Sequence, residues 1–301
     1  MAVVDIRNTS YHVDNKLMGH WEKNSLKMMI KRNADRVYIV DGKERIGKST
    51  WVFQQMGVIE PELFNNVEKF LSRVCIDVDE FNMTCRTTKN GVVVFDEGFR
   101  GFSSRSALSK TNKMLIQTLM EMGQNNNIVF IVLPSFFLLD IYPAMIRSNS
   151  LFHIRPDKRS GMRVWEGFNA GDKNEIFRQG VKKSWKYKAT FFRGRFPKQF
   201  PGGEVFEKAY NAKKSQAFIE VSMKMYEKKE EVTKQMLERD KTWLMMYNNP
   251  ESYHSEKKSM RNLAEHLTKN GMPITQAGLS LIFKKLHDFT TENRGITVKY
   301  R

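Results

Sequence analysis

The residues with the clearest chemical signature lie between positions 42 and 50. Gly42 and Gly47 are separated by four residues and are followed by Lys48 and Ser49, which fits the phosphate-loop pattern G-x-x-x-x-G-K-[ST]. Such a loop surrounds a polyphosphate with backbone N–H groups, while its lysine reaches the β/γ oxygens and its hydroxyl binds Mg²⁺. The sequence therefore predicts an ATP site formed by one segment: Gly42, Lys43, Glu44, Arg45, Ile46, Gly47, Lys48, Ser49 and Thr50.

The segments on either side of this loop have compositions that would position it. Residues 37–40 are apolar or aromatic and mostly β-branched, which indicates a short buried strand. Residues 49–56 are expected to begin a helix whose positive N-terminal end faces the bound anion. A strand before the motif and a helix after it are the context that a genuine phosphate loop requires.

A second acidic site follows about fifty residues later. Residues 91–95 form an apolar run that ends in Asp96 and Glu97, the arrangement of a Walker B strand. We expect Asp96 to hold Mg²⁺ through its water shell and Glu97 to polarise the water that attacks the γ-phosphate. The alternative interpretation is an acidic pair that closes an ordinary strand. The predicted catalytic residues are therefore Lys48, Asp96 and Glu97, and the predicted cofactors are ATP and Mg²⁺.

The order of elements predicts the fold. A helix over 109–122 leads into a third apolar strand, 128–133, so that strands and helices alternate. Long crossovers between apolar strands are typical of a parallel sheet covered by helices on both faces. The predicted fold class is α/β, a P-loop NTPase parallel sheet flanked by helices. Ser135, just after the third strand, is the candidate sensor of the γ-phosphate, whereas Asn127 lies too far back along the strand to reach it.

Composition divides the chain into four predicted regions. Residues 1–36 form an amphipathic N-terminal lead-in, 37–200 the ATPase domain, 204–248 a helical linker and 251–301 a C-terminal module. No run of about 18 apolar residues is present, so no integral membrane segment is predicted. The N-terminus lacks the pattern of a secretory signal, so a cytoplasmic setting is expected, or the host cytoplasm if the protein is viral.

The net charge of +17 is concentrated in the second half of the chain. Residues 151–301 hold 31 basic and 17 acidic side chains, and the segment 173–198 alone holds nine basic residues, one acidic residue and several aromatic rings. Cations and flat rings together are typical of surfaces that bind single-stranded nucleic acid, although the rings could equally be core and the charges a solvated face. The nucleic-acid candidates are Lys182, Lys183, Lys186, Lys188, Arg193, Arg195, Lys284 and Lys285.

The last of these candidates belong to a tail with its own pattern. Residues 262–267 and 276–287 have helical spacing, a turn with Thr275 as a cap lies between them, and 296–300 has the composition of a strand. This order predicts a winged helix-turn-helix-like module, whose second helix would enter a DNA groove. A small helical protein-interaction module is the alternative.

The motifs GKERIGKST, VVVFDEG and NNNIVFIVLPS, together with the basic C-terminal extension, resemble the additional-strand P-loop ATPases. This group includes RecA-like, FtsK/HerA-like and zonula-occludens-toxin-like proteins of phages, plasmids and archaeal viruses, and the resemblance covers about residues 35–155. The chain departs from the FtsK/HerA and toxin-like branch at the bulky residues 43–46 and at Pro134-Ser135, where that branch often has Gln.

The resemblance implies a Mg²⁺-dependent ATPase that works on nucleic acid, DNA before RNA, by translocation or packaging in a homo-oligomeric ring. In such rings an arginine from the neighbouring subunit completes each site, and Arg100, Arg105 and Arg147 are the candidates. Two other functions stay open from the residues. One is a nucleotide-driven switch that gates DNA or protein binding, and the other is a P-loop kinase, against which Glu97 argues because it would favour water as the acceptor.

Overall fold

The structure, a computed structural model, describes residues 1–96, 110–157, 162–182 and 185–294. Its contacts divide the chain into two units, Met1–Ala217 and Phe218–Arg301. The strands of the first unit are β1 Ala2–Ile6, β2 Thr9–Val13, β3 Arg36–Asp41, β4 Val74–Cys75, β5 Val92–Asp96, β6 Ile128–Val132, β7 Ser150–Pro156, β8 Arg163–Phe168 and β9 Arg193–Phe196.

The helices fall in both units. They are α1 Asn15–Lys23, α2 Leu26–Arg32, α3 Lys48–Ile59, α4 Val67–Leu71, α5 Val78–Thr87, α6 Lys110–Glu121, α7 Ala170–Val181, α8 Glu204–Asn248, α9 Met260–Lys269 and α10 Gln276–Arg294. Short 3₁₀ turns add Pro61–Asn65, Met122–Asn125, Phe136–Leu138 and Pro250–Tyr253, and one π-helical turn adds Tyr142–Arg147.

Seven strands form the central sheet in the order β4-β5-β6-β3-β7-β8-β9. The first five are parallel, and β8 and β9 are antiparallel. Val132 of β6 lies opposite both Val40 of β3 and Asp96 of β5. The carboxyl ends of β3 and β5, the two strands that flank β6, therefore lie at the same edge of the sheet. The predicted α/β P-loop fold is therefore confirmed, with β6 inserted between the loop strand and the Walker B strand.

Alternate residues of each central strand enter two hydrophobic layers. Tyr38 and Val40 pack on the α3 face, whereas Val37 and Ile39 pack on the face covered by α5, α6 and α7. Strands that are buried on both faces become continuous apolar runs, which is the pattern that the sequence shows. The helices on both faces exclude water from the sheet. Polar side chains can therefore reach a ligand or solvent only at the two ends of the strands, called here the amino-terminal and carboxyl-terminal edges.

Residues 1–36 contain more than the predicted amphipathic lead-in. A two-stranded antiparallel hairpin, β1–β2, precedes α1 and α2. Its Tyr11 hydroxyl donates to the Gln54 carbonyl oxygen at 2.8 Å, and Trp21 Nε1 donates to Gln55 Oε1 at 2.9 Å. These contacts bury the outer face of α3, which explains why the helix after the phosphate loop is apolar around most of its circumference.

Further elements complete the first unit. The helix α5 begins because the Asp77 side chain accepts from Asp79 N and because Phe81 and Cys85 face the core. Strand β7 pairs with β3 on one side and β8 on the other, and β9 pairs with β8 as the last strand of the sheet.

The second unit is helical within its described residues. Its core contains Trp243, Tyr253, Leu263, Leu267, Leu279 and Phe283. The Thr275 hydroxyl accepts from Gly278 N at 3.1 Å, so the predicted cap is confirmed. The expected strand at 296–300 lies outside the described residues. In the described part of the chain, no helix has the length and apolarity that crossing a bilayer requires.

Candidate nucleotide site

The phosphate-loop segment lies between the end of β3 and the start of α3. Gly42 and Gly47 have φ angles of +143° and +92°, which side chains rarely adopt. A Cβ on Gly42 would lie 2.2 Å from the Ile154 carbonyl oxygen of the neighbouring strand. The bulky residues Lys43, Glu44 and Arg45 fit because their side chains are exposed, while Ile46 packs against the core.

Lys48, Ser49 and Thr50 form the first turn of α3, and no acidic residue lies in that turn. Lys48 Nζ donates to the Gly42 and Lys43 carbonyl oxygens at 2.7 and 2.8 Å, so its ammonium lies over its own loop. The first N–H groups of a helix have no acceptor within the helix, and the helix dipole adds positive potential there. The loop thus presents cationic and N–H donor groups to one region of space.

Asp96 ends β5 next to this turn. The Ser49 hydroxyl lies 3.2 Å from both carboxylate oxygens of Asp96, although the two residues are 47 positions apart in sequence. Asp96 is only 1% exposed. An alcohol and a carboxylate side by side are the hard oxygen donors that Mg²⁺ prefers, so the residues present fit the predicted metal.

Two further partners of Asp96 come from α8. The Tyr210 hydroxyl donates to Asp96 Oδ2, and Lys214 Nζ lies 3.1 Å from the same oxygen. Burial and the nearby carboxylate raise the pKa of Tyr210, which keeps its hydroxyl protonated as a donor. Neither residue was predicted, because the composition of 204–248 indicates a helical linker. Their i,i+4 spacing is the one local signal that places them on a common face.

A second buried carboxylate, Asp41, lies directly before the loop and was also missed. It is fully buried and accepts from Phe136 N at 2.9 Å, and His153 Nδ1 lies 2.8 Å from it. The Tyr187 hydroxyl donates to it as well, and the Tyr187 ring stacks on His153 with centroids 3.8 Å apart. The cluster ties β3, β7 and the turn after β6 together beneath the loop.

Arg163, the first residue of β8, approaches the loop from the other side. Its guanidinium Nη1 lies 2.3 Å from the position that a Cβ on Gly47 would take. The arginine can therefore lie against the loop only because residue 47 has no side chain. The side chain is half-buried, and burial lowers its pKa. Among the described residues it makes no ion pair. No motif or spacing distinguishes Arg163 in the sequence, because it lies in a turn-rich stretch with several other basic residues.

The other predicted residues of the site divide between the edge and the undescribed part of the chain. Ser135 follows β6, half-buried, between the ends of β3 and β5. Glu97, Arg100 and Arg105 lie outside the described residues.

Arg147 lies at the opposite, amino-terminal edge of the sheet. Its guanidinium pairs with Asp35, the residue before β3, and Nε donates to the Leu119 carbonyl oxygen at 2.6 Å. The side chain is only 14% exposed. The chain returns through the π-helical turn before Arg147, so this candidate for the arginine that acts on a neighbouring subunit lies away from the phosphate loop of its own chain.

The basic segment is divided in its structural roles. Lys173 is buried and donates to the Ala144 and Met145 carbonyl oxygens, Lys188 pairs with Glu175, and Arg195 pairs with Asp157 at 2.8 Å. Tyr187, Phe192 and Phe196 pack inside the fold, as the core interpretation expected. Exposed members include Lys182, Lys186, Arg193, Trp185 and Phe191.

The three remaining candidates are less defined. Lys183 and the side chain of Lys285 lie outside the described part, and Lys284 is exposed on α10.

No protein-family model matches the chain, and no curated protein matches its sequence. The fold is similar to the N-terminal domain of zonular occludens toxin from Neisseria meningitidis, with 17% identity over 48% of this chain and 91% of that one and a TM-score of 0.33. It is also similar to the genome packaging NTPase from Sulfolobus turreted icosahedral virus 2 in complex with AMPPCP, with 9% identity over 51% and 88% and a TM-score of 0.33.

Proposed function

We propose that this protein is a Mg²⁺-dependent ATPase that couples hydrolysis to work on nucleic acid. The observation that carries the proposal is the meeting of Ser49 and Asp96 at 3.2 Å, beside a loop that presents Lys48 and the N-terminus of α3. A phosphate cradle and a buried oxygen-donor pair at one sheet edge are together what a nucleotide–metal complex requires.

The triphosphate would lie along the loop, between Lys48 and Arg163. Lys48 already faces two loop carbonyl groups, and its ammonium can exchange them for β/γ-phosphate oxygens. The Arg163 guanidinium lies against Gly47, and exposed Glu207 is the acidic group that acts on it electrostatically. A partly desolvated guanidinium beside a phosphate loop is well placed to contact the nucleotide itself.

Mg²⁺ would be held by the Ser49 hydroxyl, with Asp96 binding its water shell. When bound, the ion supplies neutralisation of charge on the phosphate oxygens. Glu97, next to Asp96 in sequence, would accept the proton of the attacking water, and Ser135 would donate to the γ-phosphate from the end of β6.

The nucleic-acid surface would centre on the exposed residues of the basic segment. Lys182, Lys186 and Arg193 are exposed, and Trp185 and Phe191 are 65% and 95% exposed, which leaves flat rings available for stacking on bases. Lys188 and Arg195 would contribute less because each is paired with a carboxylate. Translocation or packaging of DNA by a ring of subunits is the specific form of this work that we propose, with Arg100 or Arg105 acting on the neighbouring site.

The hydrolysis step is tested by Glu97→Gln. We expect ATP binding to persist while the rate of phosphate release falls by about a hundredfold or more, the scale of lost general-base assistance. Fluorescent-nucleotide binding and single-turnover phosphate release would be measured on the same preparation. Unchanged turnover would contradict the assignment of Glu97 as the base, and label transferred to an acceptor other than water would indicate a kinase.

The nucleic-acid part is tested by the salt dependence of DNA affinity. Changing Lys182, Lys183 and Lys186 to Ala should flatten the log–log salt slope by about two to three units, because each phosphate contact contributes roughly 0.7 to 0.9. The matched control changes three exposed basic residues of α2, Lys27, Lys31 and Arg32, and should leave the slope unchanged. Equal slopes in all three proteins would make this charge a solvated face.

A further inference from the structure

The carboxylate that would serve the metal is shared with two side chains of α8, Tyr210 and Lys214, called here the α8 pair. Lys214 Nζ lies 3.1 Å from Asp96 Oδ2 and 3.4 Å from the Tyr210 hydroxyl oxygen. The Ser49 hydroxyl lies 3.2 Å from the same Asp96 oxygen. An ammonium, a phenol and an alcohol thus converge on one buried carboxylate.

A buried carboxylate requires a compensating charge, and the Lys214 ammonium supplies it in this arrangement. A hydrated Mg²⁺ beside Ser49 would offer two positive charges, and the O–H groups of its bound water would donate to the same oxygens. Two cations within a few ångströms of each other in a partly desolvated site repel strongly. The ammonium and the metal are therefore competitors for Asp96.

We propose that Lys214 and Mg²⁺ bind Asp96 in alternation, so that loading of Mg²⁺ with nucleotide releases the start of α8 from the end of β5. This inference rests on the proposed function. It assigns to the α8 pair the role of reporting metal loading to the helix, because α8 runs without interruption from Glu204 to Asn248. The Tyr210 ring can remain in place, since it packs on Phe53 with centroids 4.9 Å apart.

The adjacent lysine provides a matched control. Lys213 Nζ donates to the Leu71 and Val74 carbonyl oxygens at 2.8 and 2.6 Å and pairs with Glu80. Both lysines hold the same turn of α8 against other residues of the first unit, and their side chains have similar exposure, 23% and 25%. Only Lys214 contacts the carboxylate next to Ser49, so removal of each charge separates helix anchoring from metal competition.

The experiment is a Mn²⁺ titration followed by electron paramagnetic resonance in the presence of ADP. Lys214→Met should bind Mn²⁺ about tenfold more tightly than the wild type, the scale of one charge-assisted hydrogen bond removed from the competing state. Lys213→Met should bind Mn²⁺ as the wild type does. Equal or weaker Mn²⁺ affinity in Lys214→Met, or tighter binding in both variants, would overturn the alternation.

A second measurement uses the unaltered chain. Amide hydrogen exchange would compare the ADP complex in EDTA with the ADP complex in Mg²⁺, and we expect faster exchange over 207–217 with Mg²⁺ and no change in α7. Unchanged protection of 207–217 while Mn²⁺–ADP binds would overturn the alternation alone. A wild-type chain that binds no Mn²⁺ or ADP would overturn the proposed function and the alternation with it.

Discussion

The two edges of the central sheet both carry buried polar groups but use them differently. At the amino-terminal edge, Asn127 accepts from Gly91 N and donates to the Thr88 carbonyl oxygen, and Asn149 accepts from Val37 N. Each of these amides bonds the backbone of a neighbouring segment. These hydrogen bonds hold the strand starts and connecting loops together.

At the carboxyl-terminal edge, cations approach from separate elements. Lys48 comes from α3, Arg163 from β8 and Lys214 from α8, and they surround the loop and Asp96. Like charges gathered in one place are costly without an anion, so such an edge is organised for a ligand. Buried polar side chains at the amino-terminal edge stabilise the fold, whereas those at the carboxyl-terminal edge are available to a ligand.

The sharpest test of this contrast is Lys48→Ala. We expect nucleotide affinity to fall by about a hundredfold, since roughly 3 kcal/mol of charge-assisted contact is lost, while the free energy of unfolding changes by less than about 1 kcal/mol. Fluorescent-nucleotide titration and urea unfolding measure the two quantities. Lys89→Ala, which changes an exposed lysine shortly before β5 at the amino-terminal edge, is the control and should leave affinity within about threefold. A loss of stability well above about 1 kcal/mol in Lys48→Ala would contradict the distinction between the two edges.

The converse change is Arg147→Met at the amino-terminal edge. It leaves Asp35 without its cation at a site where the side chains are only 14% and 13% exposed, so we expect about 2–3 kcal/mol of lost stability with nucleotide affinity unchanged. Arg86→Met, which breaks a pair with Glu121 whose side chains are 54% and 46% exposed, should cost less than about 1 kcal/mol. Full stability with lost ATPase activity in Arg147→Met would instead return this arginine to the role of acting on a neighbouring site.

The smallest expected effect comes from Ser135→Ala. If its hydroxyl meets the γ-phosphate, hydrolysis should fall by about tenfold, the value of one hydrogen bond gained in the transition state, with ATP affinity within about twofold. Ser148→Ala is the control, because that buried hydroxyl donates to the Ala144 carbonyl oxygen at the other edge. Equal turnover in the two variants would remove Ser135 from the site.

Patterns among residues close together in the chain predicted the elements that such patterns can indicate. The loop, the Asp96 strand and the strand β6 were predictable because glycine spacing and apolar runs are short-range signals. The position of β6 between β3 and β5 is set by pairing between distant segments. The helix α5 escaped notice because its polar residues outnumber its core positions, Phe81, Asn82 and Cys85.

Contacts between residues far apart in the chain could not be predicted from the sequence. Tyr210 lies 114 residues from Asp96, and Tyr187 lies 146 residues from Asp41, so no local pattern in either segment identifies the contacting residue. Composition was a weaker guide still: nine basic residues in 173–198 suggested one surface, yet Lys173 is buried and Lys188 is paired. A count of charges does not say which of them face solvent.

Gly42 has a consequence for how this site can vary through evolution. A side chain at this position would have to adopt a φ of +143° and overlap the Ile154 carbonyl oxygen, so substitution there is blocked by the neighbouring strand. Lys43 and Glu44, one and two residues later, are exposed and meet no such barrier. Selection can therefore retune the charge beside the phosphates while the backbone that cradles them stays fixed.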